Sequence, residues 1–107
     1  MTGQFAIACY RPKLGQEQAL LETIREHAGI LRKEGFLTDK RPYVMQARDG
    51  TFIEVFEWKS PEAKQEAHQN AAVGKVWQKF SECAEFPPLA NLEECRRPFA
   101  SFVSVKL

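Results

Sequence analysis

The sequence predicts an α+β fold with the element order β-α-β-β-α-β. Three observations predict it. Apolar residues change from a period of two to a helical period after Gly15, and again after Trp58. An Asp49-Gly50 pair joins two β-rich runs directly, a short-range hairpin signal because such turns need residues that accept φ > 0. Ser60-Pro61 then starts a second helical stretch with a capping residue followed by proline. A chain of 107 residues is the size of one domain, 1–107.

Residues 4–11 form the first strand, with Phe5, Ile7 and Cys9 on one face and Ala6, Ala8 and Tyr10 on the other. Both faces are apolar, so both call for cover. Pro12 and Gly15 punctuate its end. From Gln16 to Lys33, Leu20, Ile24, His27, Ala28 and Leu31 make one helical stripe, and Gly35 is the natural stop. Residues 43–48 and 51–58 make the hairpin. A two-residue Asp49-Gly50 loop sets Tyr43, Met45, Ala47, Phe52, Glu54, Phe56 and Trp58 on one face, and Val44, Gln46, Ile53, Val55 and Glu57 on the other.

The second helix runs from Pro61 to about Glu85, with Ala63, Ala67, Val73, Val76, Trp77, Phe80 and Ala84 turned inward. Asn70 and Gly74 predict a break near Asn70. Pro87-Pro88 ends the helical stretch, residues 89–98 read as a loop with Asn91 placed to cap a short turn, and Phe99–Leu107 forms the last strand. This order matches the split-βαβ, ferredoxin-like arrangement: a four-stranded antiparallel sheet with two helices on one face. Its other face is also apolar, and a large bare apolar sheet is not tolerated on a soluble monomer. The expected solution is a two-fold homodimer whose open sheet faces meet.

Over nearly its whole length the chain resembles the antibiotic biosynthesis monooxygenase-like family of the dimeric α/β-barrel superfamily. The resemblance rests on the element order, on Glu54-Val55-Phe56-Glu57-Trp58-Lys59-Ser60 leading into Pro61-Glu62-Ala63, and on the His68–Trp77 segment. It implies a homodimer across the sheets, a ligand pocket in each subunit between sheet and helices, and cofactor-independent monooxygenase chemistry. The haem-degrading branch uses an Asn in the first strand and a Trp and a His on the second helix. Here the first strand has no Asn, and Ala67 and Trp77 fall at the other two positions, so haem is not expected.

Three titratable residues are the catalytic candidates. His27 lies on an apolar stripe and reads either as a hydrogen-bonded core residue or as a base, since histidine titrates near neutral pH. His68 precedes the helix break and points either inward or to solvent. Glu54 sits mid-strand among apolar neighbours, where a carboxylate either pairs with a cation, for instance an Arg at the dimer interface, or acts as a base. Tyr10, Tyr43, Trp58, Trp77 and Phe80 are the candidate walls of a pocket for a planar aromatic ligand, although ordinary core packing accounts for them equally. Two widely separated histidines and three cysteines without a paired spacing supply no metal site, and no cofactor is expected.

Fifteen basic against fourteen acidic residues leave a net charge of +1, which gives no electrostatic footprint for nucleic acid or an anionic membrane. No apolar run approaches the ~20 residues of a membrane span, the short Phe5–Tyr10 run lacks the basic lead of a signal peptide, and the cysteine pattern suits free thiols in the cytoplasm. Two readings of function follow. One is a cofactor-independent monooxygenase acting on a phenolic or polycyclic aromatic molecule, and the alternative is a non-catalytic homodimer that binds a hydrophobic small molecule or senses a metabolite. An enclosed, polar-dotted cavity between helices and sheet favours both. An interior filled by its own side chains counts against the oxygenase and favours a structural homodimer.

Overall fold

The computed structural model describes residues 3–107. Among them the order is β1 (Gln4–Pro12), α1 (Glu17–Lys33), β2 (Tyr43–Gln46), β3 (Phe52–Trp58), α2 (Pro61–Ala67), α3 (Ala71–Cys83), β4 (Ala84–Glu85), short 3₁₀ turns at Leu89–Asn91 and Glu93–Arg96, and β5 (Val103–Ser104). The strands form one open antiparallel sheet in the order β4-β1-β3-β2-β5. The architecture is α+β as predicted, but with five strands rather than four and three helices rather than two.

Local chemistry explains most boundaries. α1 ends at Gly35, whose φ of +77° reverses the chain. Gly35 N–H donates to Arg32 O (3.0 Å) and Phe36 N–H to Leu31 O (3.0 Å), the bond pair of a Schellman stop, and Leu31 and Phe36 share one apolar cluster. Ser60 Oγ accepts from Ala63 N–H (3.1 Å), with Pro61 at the first helical position. The break near Asn70 is present. Its side chain accepts from Val73 N–H (3.0 Å) and so starts α3 anew, splitting the single predicted helix in two.

The extra strand arises where that helix was expected to continue. Ala84 turns extended (φ −144°, ψ 159°), and Ala84–Glu85 pairs with Arg11–Pro12 at the edge of β1. The predicted last strand is mostly irregular. Only Val103–Ser104 joins a ladder, against Met45–Gln46, with one further bond from Val105 N–H to Val44 O (2.9 Å). Asn91 caps nothing; the second 3₁₀ turn follows Leu92 instead.

The hairpin register differs by one residue from the prediction, and this changes which side chains meet. Tyr43 pairs with Val55, Val44 with Glu54, Met45 with Ile53 and Gln46 with Phe52. The loop holds three residues, Arg48-Asp49-Gly50. Gly50 N–H closes a turn on Ala47 O (3.0 Å), Ala47 N–H bonds Thr51 O (2.8 Å), and Gly50 takes φ +94°. This is a tight turn followed by a left-handed glycine, the usual three-residue hairpin. Because side chains alternate with period two, the slip moves Tyr43, Met45 and Ala47 to the face opposite Glu54 and brings Val44 and Gln46 to its side.

Helices cover the face carrying Ala6, Ala8, Tyr10, Val44, Phe52, Phe56 and Trp58, and two apolar clusters fill that layer. The opposite face was expected to be bare. Half of it is covered by the chain itself: Leu92 is completely buried against Cys9, Ala47 and Ile53, with Leu89, Cys95 and Phe102 packed around them. The remaining half exposes Phe5 (58%), Ile7 (52%) and Tyr43 (68%). Among the described residues, no helix is long and apolar enough to cross a membrane.

Glu57 lies at the rim of this exposed half. Thr38 Oγ1 donates to its Oε1 (2.9 Å) and Lys40 Nζ lies 3.1 Å from the same oxygen, so its carboxyl is held below the usual carboxylate range. In the acid range the unfolded chain therefore binds a proton that the native protein does not. Stability tied to this group is present above the ordinary carboxylate pKa and lost as pH falls through the lowered native one. Thr38→Ala should narrow the difference between urea midpoints measured at neutral and acid pH. An unchanged difference would show that the hydroxyl does not hold the carboxylate.

Candidate functional site

The site is built from four residues on four elements. Ladder pairing places Ala8 and Val44 on either side of Glu54, so two small or slender side chains flank the carboxylate and leave room above it. Into that room come Tyr10 from the same face of β1 and His27 from the inward stripe of α1. Glu54 has no exposure to solvent, His27 3% and Tyr10 5%. Tyr10 Oη donates to Glu54 Oε1 at 2.8 Å, and His27 Nδ1 lies 2.9 Å from Oε1 and 3.2 Å from Oε2. Trp77 of α3 completes the chain of contacts, its indole N–H donating to His27 Nε2 at 3.1 Å.

This arrangement assigns the histidine tautomer. An indole nitrogen can only donate, so His27 Nε2 is the acceptor and the ring proton sits on Nδ1, directed at the carboxylate. Glu54 then acts purely as an acceptor, from one hydroxyl and one imidazole N–H. A carboxylate behind Nδ1 and a lone pair at Nε2 is the orientation that prepares histidine to take a proton. In the structure as it stands that lone pair is occupied by Trp77.

The surroundings are aromatic and close-packed. Tyr10 stacks on Phe80 with ring centres 4.3 Å apart and planes 6° from parallel. The His27 ring meets Phe56 and Phe80 edge-on at 5.6 and 5.2 Å. Burial, the neighbouring Glu54 charge and the hydrogen bond to it push the Tyr10 phenol well above its ordinary range, so Tyr10 stays a neutral donor. None of these residues lines any of five prominent surface hollows, such as the groove of about 270 Å³ between α1 and α3 flanked by Glu22, Glu26 and Lys79. At this point the space between sheet and helices is filled by the protein's own side chains.

Of the predicted site residues, His27, Glu54, Tyr10, Trp77 and Phe80 come together here. His68 does not enter the interior. It is exposed, its Nδ1 bonds Lys64 O (2.8 Å), and its ring meets the outer side of Trp77 at 4.8 Å. Trp58 is buried further along the sheet, edge-on to Phe56 at 5.2 Å and beside Leu37. Tyr43 lies on the opposite face, moved there by the hairpin register. The arginine expected as a partner for Glu54 is absent from its contacts, since the carboxylate faces the helices and finds His27.

Sequence reasoning had named Tyr10 only as an aromatic wall and missed its bond to Glu54. The signal was available in the small residues Ala6 and Ala8 preceding it on one strand face, which leave space that a single phenol can reach across. Among the described residues no group of His, Cys, Asp and Glu is clustered to hold a metal ion. No protein-family model, curated protein or solved structure matches the chain.

Proposed function

We propose that this chain is a non-catalytic homodimer that closes the bare half of its sheet against a second copy. The observation that carries this reading is the set of Phe5, Ile7 and Tyr43, each more than half exposed on one sheet face that the 3₁₀ segment leaves uncovered, with Ile7 and Tyr43 on either side of Val55. Large apolar side chains clustered on a sheet face are costly in water and suit a self-complementary two-fold contact. The strand order β4-β1-β3-β2 supports the ferredoxin-like, dimeric α/β-barrel form of the reading, with β5 added at the outer edge. Buried thiols at Cys9 and Cys83 suit a reducing compartment, the cytoplasm. The filled interior around Glu54 favours a structural or ligand-sensing role over turnover.

A second reading, a cofactor-independent monooxygenase of the antibiotic biosynthesis type, is favoured by the tautomer of His27. If Trp77 swings out, a phenolic or polycyclic aromatic molecule takes its place against Nε2. His27 accepts the acidic proton, and Glu54 stabilises the resulting imidazolium. The substrate anion supplies the electrons to molecular oxygen; one oxygen atom enters the substrate as a carbonyl and the other leaves as water.

One set of measurements separates the readings. Sedimentation of the full chain should give a dimer and Ile7→Asp a monomer, with no oxygen uptake on anthrone or simple phenols. A monomeric unsubstituted chain overturns the homodimer. Oxygen uptake that His27→Gln abolishes moves the assignment to the monooxygenase. Thermal stabilisation by an aromatic ligand without uptake identifies the non-catalytic binder.

A further inference from the structure

A third carboxylate, besides Glu54 and Glu57, is buried outside the His27 network. Glu94, in the second 3₁₀ turn, is only 8% exposed. Among the described residues its side chain has one hydrogen bond, from Arg48 N–H to Oε2 at 2.9 Å. The ion pairs nearby join Arg96 and Arg97 to Glu93 instead, at 3.7 and 4.0 Å. Glu94 is therefore a mostly buried carboxylate with a single donor on Oε2, and its accessible Oε1 gains from a further cationic donor.

Glu94 also lines two hollows. Both are lined by Arg48, Glu94 and Ser101. The smaller, about 100 Å³, adds Phe99 and the charged side chains of Glu93 and Arg97. The larger, about 330 Å³, adds Gln46 and the apolar walls Ala47, Phe102 and Val103. The two hollows thus share a wall of Arg48, Glu94 and Ser101, with both signs of charge on one side of it and an apolar surface of Ala47, Phe102 and Val103 on the other.

We propose that this is a binding site for a free α-amino acid with an apolar side chain. The ammonium group bonds Glu94 Oε1, and the carboxylate is taken by the guanidinium groups of Arg48 and Arg97, which are not committed to Glu94. The side chain occupies the hollow against Phe102 and Val103. A ligand of one charge alone would leave either the arginines or the glutamate facing a like charge, whereas a zwitterion satisfies both. The site uses no residue of the His27 network or of the Phe5–Ile7–Tyr43 patch, so it stands independently of either reading of function.

The test is calorimetric titration of the full chain with L-leucine, N-acetyl-L-leucine and L-leucinamide. Leucine should bind, and each derivative, having lost one charge, should bind at least about tenfold more weakly. Glu94→Gln retains an acceptor for Arg48 N–H, so the fold is kept while leucine binding drops by at least about tenfold. Arg97→Ala should weaken leucine and leave leucinamide unchanged. Absence of binding by all three probes, or equal binding of leucine by the Glu94→Gln variant, overturns the proposal. Leucinamide binding as tightly as leucine overturns it in favour of a simple amine site.

Discussion

Glu54→Ala is expected to destabilise the protein by about 2–6 kcal/mol, the cost of leaving two buried donors without the acceptor they share. The reason is what it leaves behind. Tyr10 Oη and His27 Nδ1–H both point at the carboxylate, at 2.8 and 2.9 Å, in a layer with almost no access to water. Each orphaned donor carries a desolvation cost of about 1–3 kcal/mol. Tyr10→Phe removes one donor and its demand together, and should cost only about 1 kcal/mol. The Glu54→Ala, Tyr10→Phe double variant should accordingly be more stable than the sum of the single losses suggests. Urea midpoints for the set decide it. If Glu54→Ala costs no more than Tyr10→Phe, the carboxylate does not hold this layer together.

Leu92→Ala is the second large effect, expected at about 2–5 kcal/mol for a fully buried leucine. Leu92 anchors the 3₁₀ segment over Cys9, Ala47 and Ile53, so its truncation loosens the only cover that half of the open face receives among the described residues. The change has a chemical readout as well. Burial, followed by the nearby Cys95 and Asp49, raises the Cys9 thiol above its ordinary pKa and keeps it unreactive. Water reaching Cys9 lowers that barrier to the thiolate, so alkylation by iodoacetamide should be faster in Leu92→Ala than in the unsubstituted chain. An unchanged alkylation rate with a large loss of stability would mean that the segment stays seated and that only the cavity is felt.

Much of the architecture was legible from local chemistry. The alternation in β1, the inward stripe of α1, the Gly35 stop, the Ser60-Pro61 start and the Asn70 break each follow from residue types within one or two turns of the chain. The candidate site was legible in its membership, since His27, Glu54, Tyr10, Trp77 and Phe80 were all singled out, but not in its wiring. Which residue faces Glu54 depends on the hairpin register, and Asp49-Gly50 fits a two-residue and a three-residue loop equally well in sequence. The choice turns on whether the left-handed glycine at position 50 closes the turn or follows it, and one residue of difference carried Tyr43 out of the site and Val44 into it.

The sequence by itself determined the elements, their order and the chemistry within reach, because those depend on neighbours a few residues away. Tertiary structure alone decided three further things. It joined Tyr10, His27, Glu54 and Trp77, which stand up to 67 positions apart in the chain, into one hydrogen-bonded row. It laid the 3₁₀ segment across half of a sheet face that local pattern showed only as apolar. It also buried Glu94 in a wall shared by two hollows rather than leaving it on a solvated loop. Each is a contact between residues distant in sequence, and contacts of that kind are selected by how whole elements pack rather than by any residue's own preference.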